Sequence, residues 1–424
     1  MDLKTLHSLF LDCNAVCTDT RKIKKKDMFF ALKGDNFNGN TYAQQAIAKG
    51  AKYAVIDEEE FQTQNTILVK NVLKTLQQLA TYHRNYLKIP ILALTGSNGK
   101  TTTKELINVV LSKKYKTTAT KGNLNNHIGV PLTLLSMKND TEIGIVEMGA
   151  NHQKEIEFLC NIAYPDYGLI TNFGKAHLEG FGGVEGVIKG KSEMFEHLIK
   201  HNKTIFLNIE DKIQVEKSQN GNTFTFGSNK NKPEVAIDFI EALPFVISKY
   251  NALHIKSNLI GDYNFSNIAV AIAIGNYFKV EDSAIKTAIE NYIPSNNRSQ
   301  IIQKSSNKII LDAYNANPTS MKAALLNLEK QNGHKVAILG DMFELGKDAK
   351  IEHQHVTDLV TSLNIDDIIL IGENFFQSKS NAKNVQQFKS FNGFKAAVNL
   401  KDINNSVILI KGSRGMALER FLDI

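Results

Sequence analysis

The stretch ALTGSNGKTTTKEL, residues 93–106, decides the fold. Just before it, residues 91–94 form a short continuous apolar run, the pattern of a buried strand. From 102 to 111 the apolar side chains recur at helical spacing. A strand, a Gly-bearing turn and Lys-Thr opening a helix gather backbone N–H groups and a helix N-terminus around one anion, which is how the phosphates of a nucleotide are held. In such a loop Lys100 reaches the β/γ oxygens and the Thr101 hydroxyl ligates Mg²⁺. The full GxxxxGK[ST] spacing is not met, because Leu94 stands where the first Gly would be; the matching unit is the shorter TGxNGKT.

Outward from this loop, apolar strand candidates at 143–148, 167–171 and 204–207 alternate with helical patterns at 153–162 and 184–200. That alternation predicts a doubly wound parallel sheet with helices on both faces. Residues 220–260 read as extra strands and 264–277 as a helix rich in small residues. After IPSNNR (293–298), where Pro294 and two Asn mark a linker, the alternation restarts with strand candidates at 308–311, 336–339, 368–371 and 407–410. The first 88 residues hold short apolar runs such as 28–32 and 53–56 and end in a helical pattern over 72–87. The expectation is three α/β domains: a small α/β one over 1–88, a central P-loop-type doubly wound domain over 89–294 and a Rossmann-like one over 295–424.

Composition narrows the function classes. The 424 residues carry 50 Lys+Arg against 43 Asp+Glu, a formal net charge of +7, but only five of the basic residues are arginine. No arginine cluster with interleaved aromatics appears, so a nucleic-acid reader is not expected. A modest positive field suits a polyanionic substrate, and a lysine-rich composition with a solvated surface is the plainer explanation. The longest apolar run, 268–274, has seven residues, against the roughly 20 that a membrane span needs. No signal-peptide pattern is present, and three cysteines, Cys13, Cys17 and Cys160, match neither a CxxC pair nor a zinc spacing. A cytoplasmic protein, monomeric and without a membrane span, is expected.

Two further residues fall at the sheet edge that the loop defines. The run 143–147 ends in Glu147, where a parallel sheet places a metal-binding acid, although such acids also cap neighbouring helices. His177 follows the next strand candidate in TNFGKAHLEGFG (171–182), a loop position that favours a functional histidine over a buried structural one.

The chain resembles the Mur ligases, ATP-dependent amide-forming enzymes of peptidoglycan precursor synthesis. The resemblance runs through TDTRKIKKKDMFFALKG (18–34), TGSNGKTTT (95–103), GNLNNHIGVPLTLL (122–135), EMGANHQKEI (147–156) and ITNFGKAHLEGFG (170–182). It continues through KGKSEMF (189–195), GDYNFSNIAVAIA (261–273), DAYNANPTSMKAAL (312–325), GDMFELG (340–346) and KGSRGMALE (411–419). YNANPTSM followed by GDMFELG points to the branch that adds D-Ala-D-Ala to a UDP-muramoyl-tripeptide; the motifs leave open whether the third peptide residue is lysine or diaminopimelate.

Residue by residue, the resemblance implies that Gly96, Ser97, Asn98, Gly99, Lys100, Thr101 and Thr102 hold the triphosphate of ATP. Thr101 and Glu147 would ligate one Mg²⁺, and His177, Glu147 and Lys191 a second, with Lys191 carbamylated so that it offers a hard carboxylate oxygen. Lys100, Glu147, His177 and Lys191 are then the catalytic set. Asn267 would contact adenine, and Arg298 and Asp312 the nucleotide from across the domain boundary. Asp19, Thr20, Arg21, Gly34, Asn38 and Gly39 match the uridine-binding segment, and Asn123, Asn125 and Asn126 the stretch facing the muramoyl-peptide. Tyr314, Asn315, Lys411, Ser413 and Arg414 would meet the remaining substrates, D-Ala-D-Ala among them. Tyr263 stands where relatives usually carry His. Some relatives are fused to an alanine racemase; no such second enzyme is expected in this chain. The competing expectations are another amide ligase of the superfamily, such as a folylpolyglutamate synthetase, and a P-loop NTPase that hydrolyses ATP without an acyl acceptor.

Overall fold

The computed structural model describes residues 1–295, 297–399 and 402–423. Residue 296, inside the expected linker, and the final residue lie outside the described residues. Three sheets are strung along the chain. The first, in spatial order β1-β2-β5-β6, is parallel throughout and joins Val16–Cys17, Met28–Phe30, Tyr53–Ile56 and Thr66–Leu68; a small hairpin, β3 (Lys33–Gly34) and β4 (Phe37–Asn38), stands beside it. The helix Val72–Leu87 closes this unit, started by the Asn71 side chain accepting from the Lys74 N–H and stopped by Lys88 in the left-handed conformation.

The central sheet has nine strands: β7 (Ile91–Thr95), β8 (Thr117–Ala119), β9 (Ile143–Glu147), β10 (Tyr167–Ile170), β11 (Thr204–Asn208), β12 (Asn222–Gly227), β13 (Val235–Ala242), β14 (Phe245–Tyr250) and β15 (Leu253–Ile260). Their order is β15-β14-β13-β12-β11-β10-β7-β9-β8. Pairing is parallel from β8 to β13, but β13-β14-β15 run antiparallel. The doubly wound parallel sheet expected from the sequence is present, and the extra strands read within 220–260 extend it as an antiparallel edge. Strands β13 to β15 follow one another through turns too short for a helical crossover, which antiparallel pairing alone permits.

Side-chain alternation along β7 splits the core in two. Ile91 and Ala93 join one buried cluster with Val146, Ile170, Phe195 and Leu198, while Leu92 and Leu94 join the other with Leu106, Ile107, Ile145 and Ile272. The helix Phe265–Tyr277 is buried continuously from Asn267 to Gly275, and its alanines and Gly275 allow close approach to the helix Lys100–Leu111. The third sheet, β16-β17-β21-β18-β19-β20, joins Gln300–Lys304, Asn307–Asp312, Ser406–Lys411, His334–Gly340, Asp367–Ile371 and Val385–Phe388; only its edge strand β16 is antiparallel. Both β16 and β20 escape the sequence reading, because their partly buried polar residues interrupt any apolar run. No helix among the described residues is long and apolar enough to cross a membrane.

One ionic cluster ties the first two units together. Arg84, 9% exposed, donates to the carbonyls of Ala163 and Tyr164 and pairs with Asp166 at 2.6 Å, and Asp166 also takes Lys203 at 2.7 Å. Removing one member of such a pair leaves a charge short of partners. Arg84→Ala is expected to lower stability by about 2–4 kcal/mol, read as a drop in the urea midpoint of the first unfolding transition. An unchanged midpoint would contradict the assignment.

Candidate active site

The phosphate loop is held by backbone geometry before any ligand arrives. Gly96 lies at φ +138° and a Cβ there would come 2.0 Å from Thr171 Oγ1; Gly99, at φ +80°, would bring one 2.5 Å from Asn267 Oδ1. Both positions therefore require glycine. Ser97 N–H donates to Asn172 O at 3.0 Å, Asn98 N–H to Asn172 Oδ1 at 3.2 Å, and Thr171 Oγ1 to Asn98 O at 2.6 Å. The helix Lys100–Leu111 starts without a side-chain cap, so the N–H groups of its first turn open toward the cleft. Lys100 Nζ curls back to Gly96 O at 2.8 Å. Burial, the largest influence, pushes its pKa down; Glu147 opposes this and Arg298 adds to it.

Glu147 is the last residue of β9 and only 1% exposed. Its Oε1 accepts from Asn125 Nδ2 at 2.8 Å and Thr101 Oγ1 at 3.3 Å, while Oε2 is buried with no hydrogen-bond partner. A buried carboxylate oxygen left unpaired beside a threonine hydroxyl fits a hard divalent cation, which would supply the missing partner. His177 caps a short helix at φ +53°, and its Nδ1 lies 2.5 Å from Glu344 Oε2 of the C-terminal unit.

Lys191 is 1% exposed, donates to Ala150 O at 3.0 Å and sits 4.9 Å from the Phe181 ring centroid, behind the cavity wall and not on it. Burial, then Lys100, holds its pKa well below the usual lysine value, toward the neutral amine that can add CO₂. Among the described residues no three His, Cys, Asp or Glu side chains converge on a metal position. Beyond Glu147 and His177, a further hard ligand would have to come from another group.

The opposite wall belongs to the C-terminal unit. Arg298 stacks on Tyr314, with Cζ 3.6 Å from the ring centroid, and its buried Nε has no partner. Asp312 closes β17; it pairs with Lys411 at 2.5 Å and accepts the Ser299 N–H at 3.1 Å. Lys411, 2% exposed, also reaches Asn315 O at 3.3 Å. Tyr263 hydrogen-bonds Ser299 through its hydroxyl at 2.7 Å, and burial raises its pKa. Asn267 donates to Asn264 Oδ1 at 2.8 Å and accepts from Thr103 Oγ1 at 3.0 Å. Across the gap, Asn317 Nδ2 donates to Asn98 Oδ1 at 2.7 Å.

Together these walls enclose a cavity of about 550 Å³, lined by Ser97 to Thr102, Asn123, Asn125, Asn126, Glu147, His177, Asn267, Arg298, Asp312, Tyr314, Asn315 and Lys411. Gly96, Ser413 and Arg414 are not on its surface. Ser413 Oγ accepts the Phe343 N–H at 2.8 Å, and Arg414 pairs with Glu419 at 2.7 Å. Asp19, Thr20, Arg21, Gly34, Asn38 and Gly39 lie in the N-terminal unit and are not part of the cavity lining. There Arg21 embraces Asp19 with two 2.9 Å hydrogen bonds that pull its carboxyl down to about 2, Thr20 O takes Lys49 at 3.1 Å, and Asn38 bonds Glu58 at 2.8 Å.

Sequence reasoning missed Asn317, Thr319 and Glu344. Asn-Pro-Thr-Ser at 317–320 is legible as a helix start, and Asn317 does cap the helix Pro318–Glu329 in a capping box. That the same side chain spans to Asn98 is a fact of folding alone.

Comparison with known proteins agrees along the whole chain. Residues 94–275 match the Mur ligase middle domain, 297–414 the glutamate ligase domain of Mur ligases, and 13–89 the Mur ligase family catalytic domain. The chain is 34% identical to the UDP-N-acetylmuramoyl-tripeptide--D-alanyl-D-alanine ligase of Bacillus subtilis, across 96% of this chain and 92% of that one. With the enzyme of the same name from Escherichia coli K12 the identity is 32%, over 96% and 92%. The crystal structure of MurF from Acinetobacter baumannii superposes with a TM-score of 0.87 at 29% identity, covering 99% and 97%. The MurF ligase of Thermotoga maritima in complex with ADP gives 0.84 at 26%, covering 98% and 97%.

The geometry of the loop makes a direct prediction. Gly99→Ala would force a left-handed alanine against Asn267, a strain of about 1–2 kcal/mol, and is expected to weaken ATP binding about tenfold in calorimetry with the circular dichroism spectrum retained. Undiminished affinity would show that the loop does not hold the nucleotide.

Proposed function

From the premise that the chain belongs to the Mur ligase family, we propose that it is an ATP-dependent, ADP-forming ligase that joins D-Ala-D-Ala to the terminal carboxylate of UDP-N-acetylmuramoyl-tripeptide. It would act as a monomer in the cytoplasm, in the building of the peptidoglycan precursor. One observation carries the reading: a phosphate loop and an unpaired buried carboxylate on the central unit face an ion-paired wall from the C-terminal unit across a single cavity.

A carboxylate is a poor electrophile, so amide formation in water needs an activated acyl group. Transfer of the γ-phosphoryl group of ATP to the tripeptide carboxylate breaks the bond to ADP and forms an acyl phosphate; the amine of D-Ala-D-Ala then attacks, and phosphate leaves. Loop N–H groups from Gly96 to Thr102 hold the phosphates, and Lys100 swings from Gly96 O toward the transferring group. Asn267 contacts adenine, with Arg298 and Asp312 closing on the nucleotide from the far side.

Thr101 and Glu147 would hold one Mg²⁺, and Glu147, His177 and carbamylated Lys191 a second. When bound, these cations offset the mutual repulsion of phosphoryl and carboxylate. The carbamate reading is supported by the burial of Lys191 and by the need for a further hard ligand. Asp19, Thr20, Arg21, Gly34, Asn38 and Gly39 would grip the uridine diphosphate end and Asn123, Asn125 and Asn126 the muramoyl-peptide; Tyr314 and Asn315 would lie in the nucleotide cleft, and Lys411, Ser413 and Arg414 would meet the incoming dipeptide. Closure of the C-terminal unit keeps water from the acyl phosphate.

The direct test incubates the protein with ATP, Mg²⁺, D-Ala-D-Ala and each of the lysine- and diaminopimelate-containing UDP-tripeptides and weighs the products. ADP release only with glutamate or a diamino acid as acceptor would move the chain to another ligase of the superfamily. Lys100→Ala is expected to abolish product, and near-normal turnover would contradict the loop assignment. Lys191→Ala is expected to be nearly inactive and partly rescued by a short carboxylic acid; full activity without rescue would remove the carbamate.

A further inference from the structure

The central and C-terminal units meet at His177, opposite Glu344, a residue to which the proposed reaction gives no part. His177 and Glu344 both lie in the left-handed backbone region, at φ +53° and +62°, although neither is glycine. A side chain with a Cβ is strained in that region, so a facing pair across a domain boundary must be held by its surroundings. The holding contacts are present. Glu179 N–H donates to Glu344 O at 3.2 Å, Lys175 N–H to Thr319 Oγ1 at 3.0 Å, and Lys175 Nζ pairs with Glu352 at 2.6 Å. What these contacts deliver is the 2.5 Å approach of Glu344 Oε2 to His177 Nδ1, a buried nitrogen with no other partner. The contact does not make a well-formed hydrogen bond, and such contacts commonly tighten when ligands are in place.

An imidazole whose Nδ1–H faces a carboxylate keeps its lone pair on Nε2, and a carboxylate in that position is how metal-binding histidines are oriented. We propose that Glu344 is a positioning residue: the closed C-terminal unit sets its carboxylate on Nδ1 of His177 and so presents Nε2 to the second divalent cation only while the cleft is shut. This rests on the reading of His177 as a metal ligand. A role as mere adhesive fits less well. The Glu344 side chain is 50% exposed, where an ion pair adds little to stability, and the Asn317–Asn98 and Lys175–Glu352 contacts already join the two units. Phosphoryl transfer would then wait for closure, since the open enzyme would lack an oriented ligand for the second cation.

The test uses Mn²⁺ as the probe, titrated into the ADP-loaded full chain and read by electron paramagnetic resonance. Glu344→Ala is expected to weaken one of two Mn²⁺ sites about 10- to 100-fold and to leave the site at Thr101 and Glu147 unchanged. Glu344→Gln, whose amide oxygen can still accept from Nδ1–H, is expected to recover most of that loss. In ¹⁵N-histidine spectra of the ADP-loaded, metal-free chain, with His177 assigned through His177→Asn, the wild type should show the Nδ1–H tautomer and Glu344→Ala should lose that preference. An unaltered tautomer together with unaltered Mn²⁺ binding in Glu344→Ala overturns the proposal. If His177→Asn itself keeps both Mn²⁺ sites, the metal reading of His177 falls and this inference with it. If His177→Asn loses a site and Glu344→Ala keeps both, only the inference falls.

Discussion

Parallel pairing of three buried strands is the constraint on which everything else depends. Strands β10, β7 and β9 pair in the registers Ile170 with Thr95 and Leu94 with Glu147. Because parallel strands all finish at the same edge, this register brings the glycine loop after Thr95, the carboxylate of Glu147 and the loop that carries Thr171 and Asn172 to one place. A slip by one residue would turn Glu147 into the opposite face of the sheet and bury a charge in an apolar layer. The two apolar clusters that the alternating side chains of β7 feed make such a slip costly.

From that edge the structure builds outward by contacts that serve two ends at once. Asn172 and Thr171 clamp the phosphate loop, and the strand that leads into them also leads to His177. Asn317 starts a helix and reaches across the cleft to the loop. Asp312 ends a strand and pairs with the buried side chain of Lys411. The cavity is therefore polar on both sides, and many of its lining groups are held by partners, while Glu147 Oε2 and Arg298 Nε stand unpaired and open to a ligand.

Much of this was legible along the chain. The loop, the strand that ends in Glu147 and the loop histidine stand out because short apolar runs next to glycine and charged residues have few other physical readings. The helix over 184–200 follows from its periodicity and is observed over the same span. Other elements were hidden for identifiable reasons. Strand β20 sets two adjacent glutamines between Val385 and Phe388, which leaves no apolar run, and β13 to β15 reverse direction through two-residue turns. The pairing of His177 with Glu344 joins residues far apart in the chain, and nothing local to either one names the other.

Taken alone, the order of residues determined the α/β class and the strand–loop–helix that can hold phosphates, because periodicity and short-range spacing are local properties of a chain; its motifs also carried the resemblance to the Mur ligases. The tertiary structure decided which side chains share the cavity, which stand behind it as Lys191 does, and how the third unit closes on the second. Those outcomes depend on the packing of segments from some tens to over two hundred residues apart, and long-range packing is written in no single stretch of sequence.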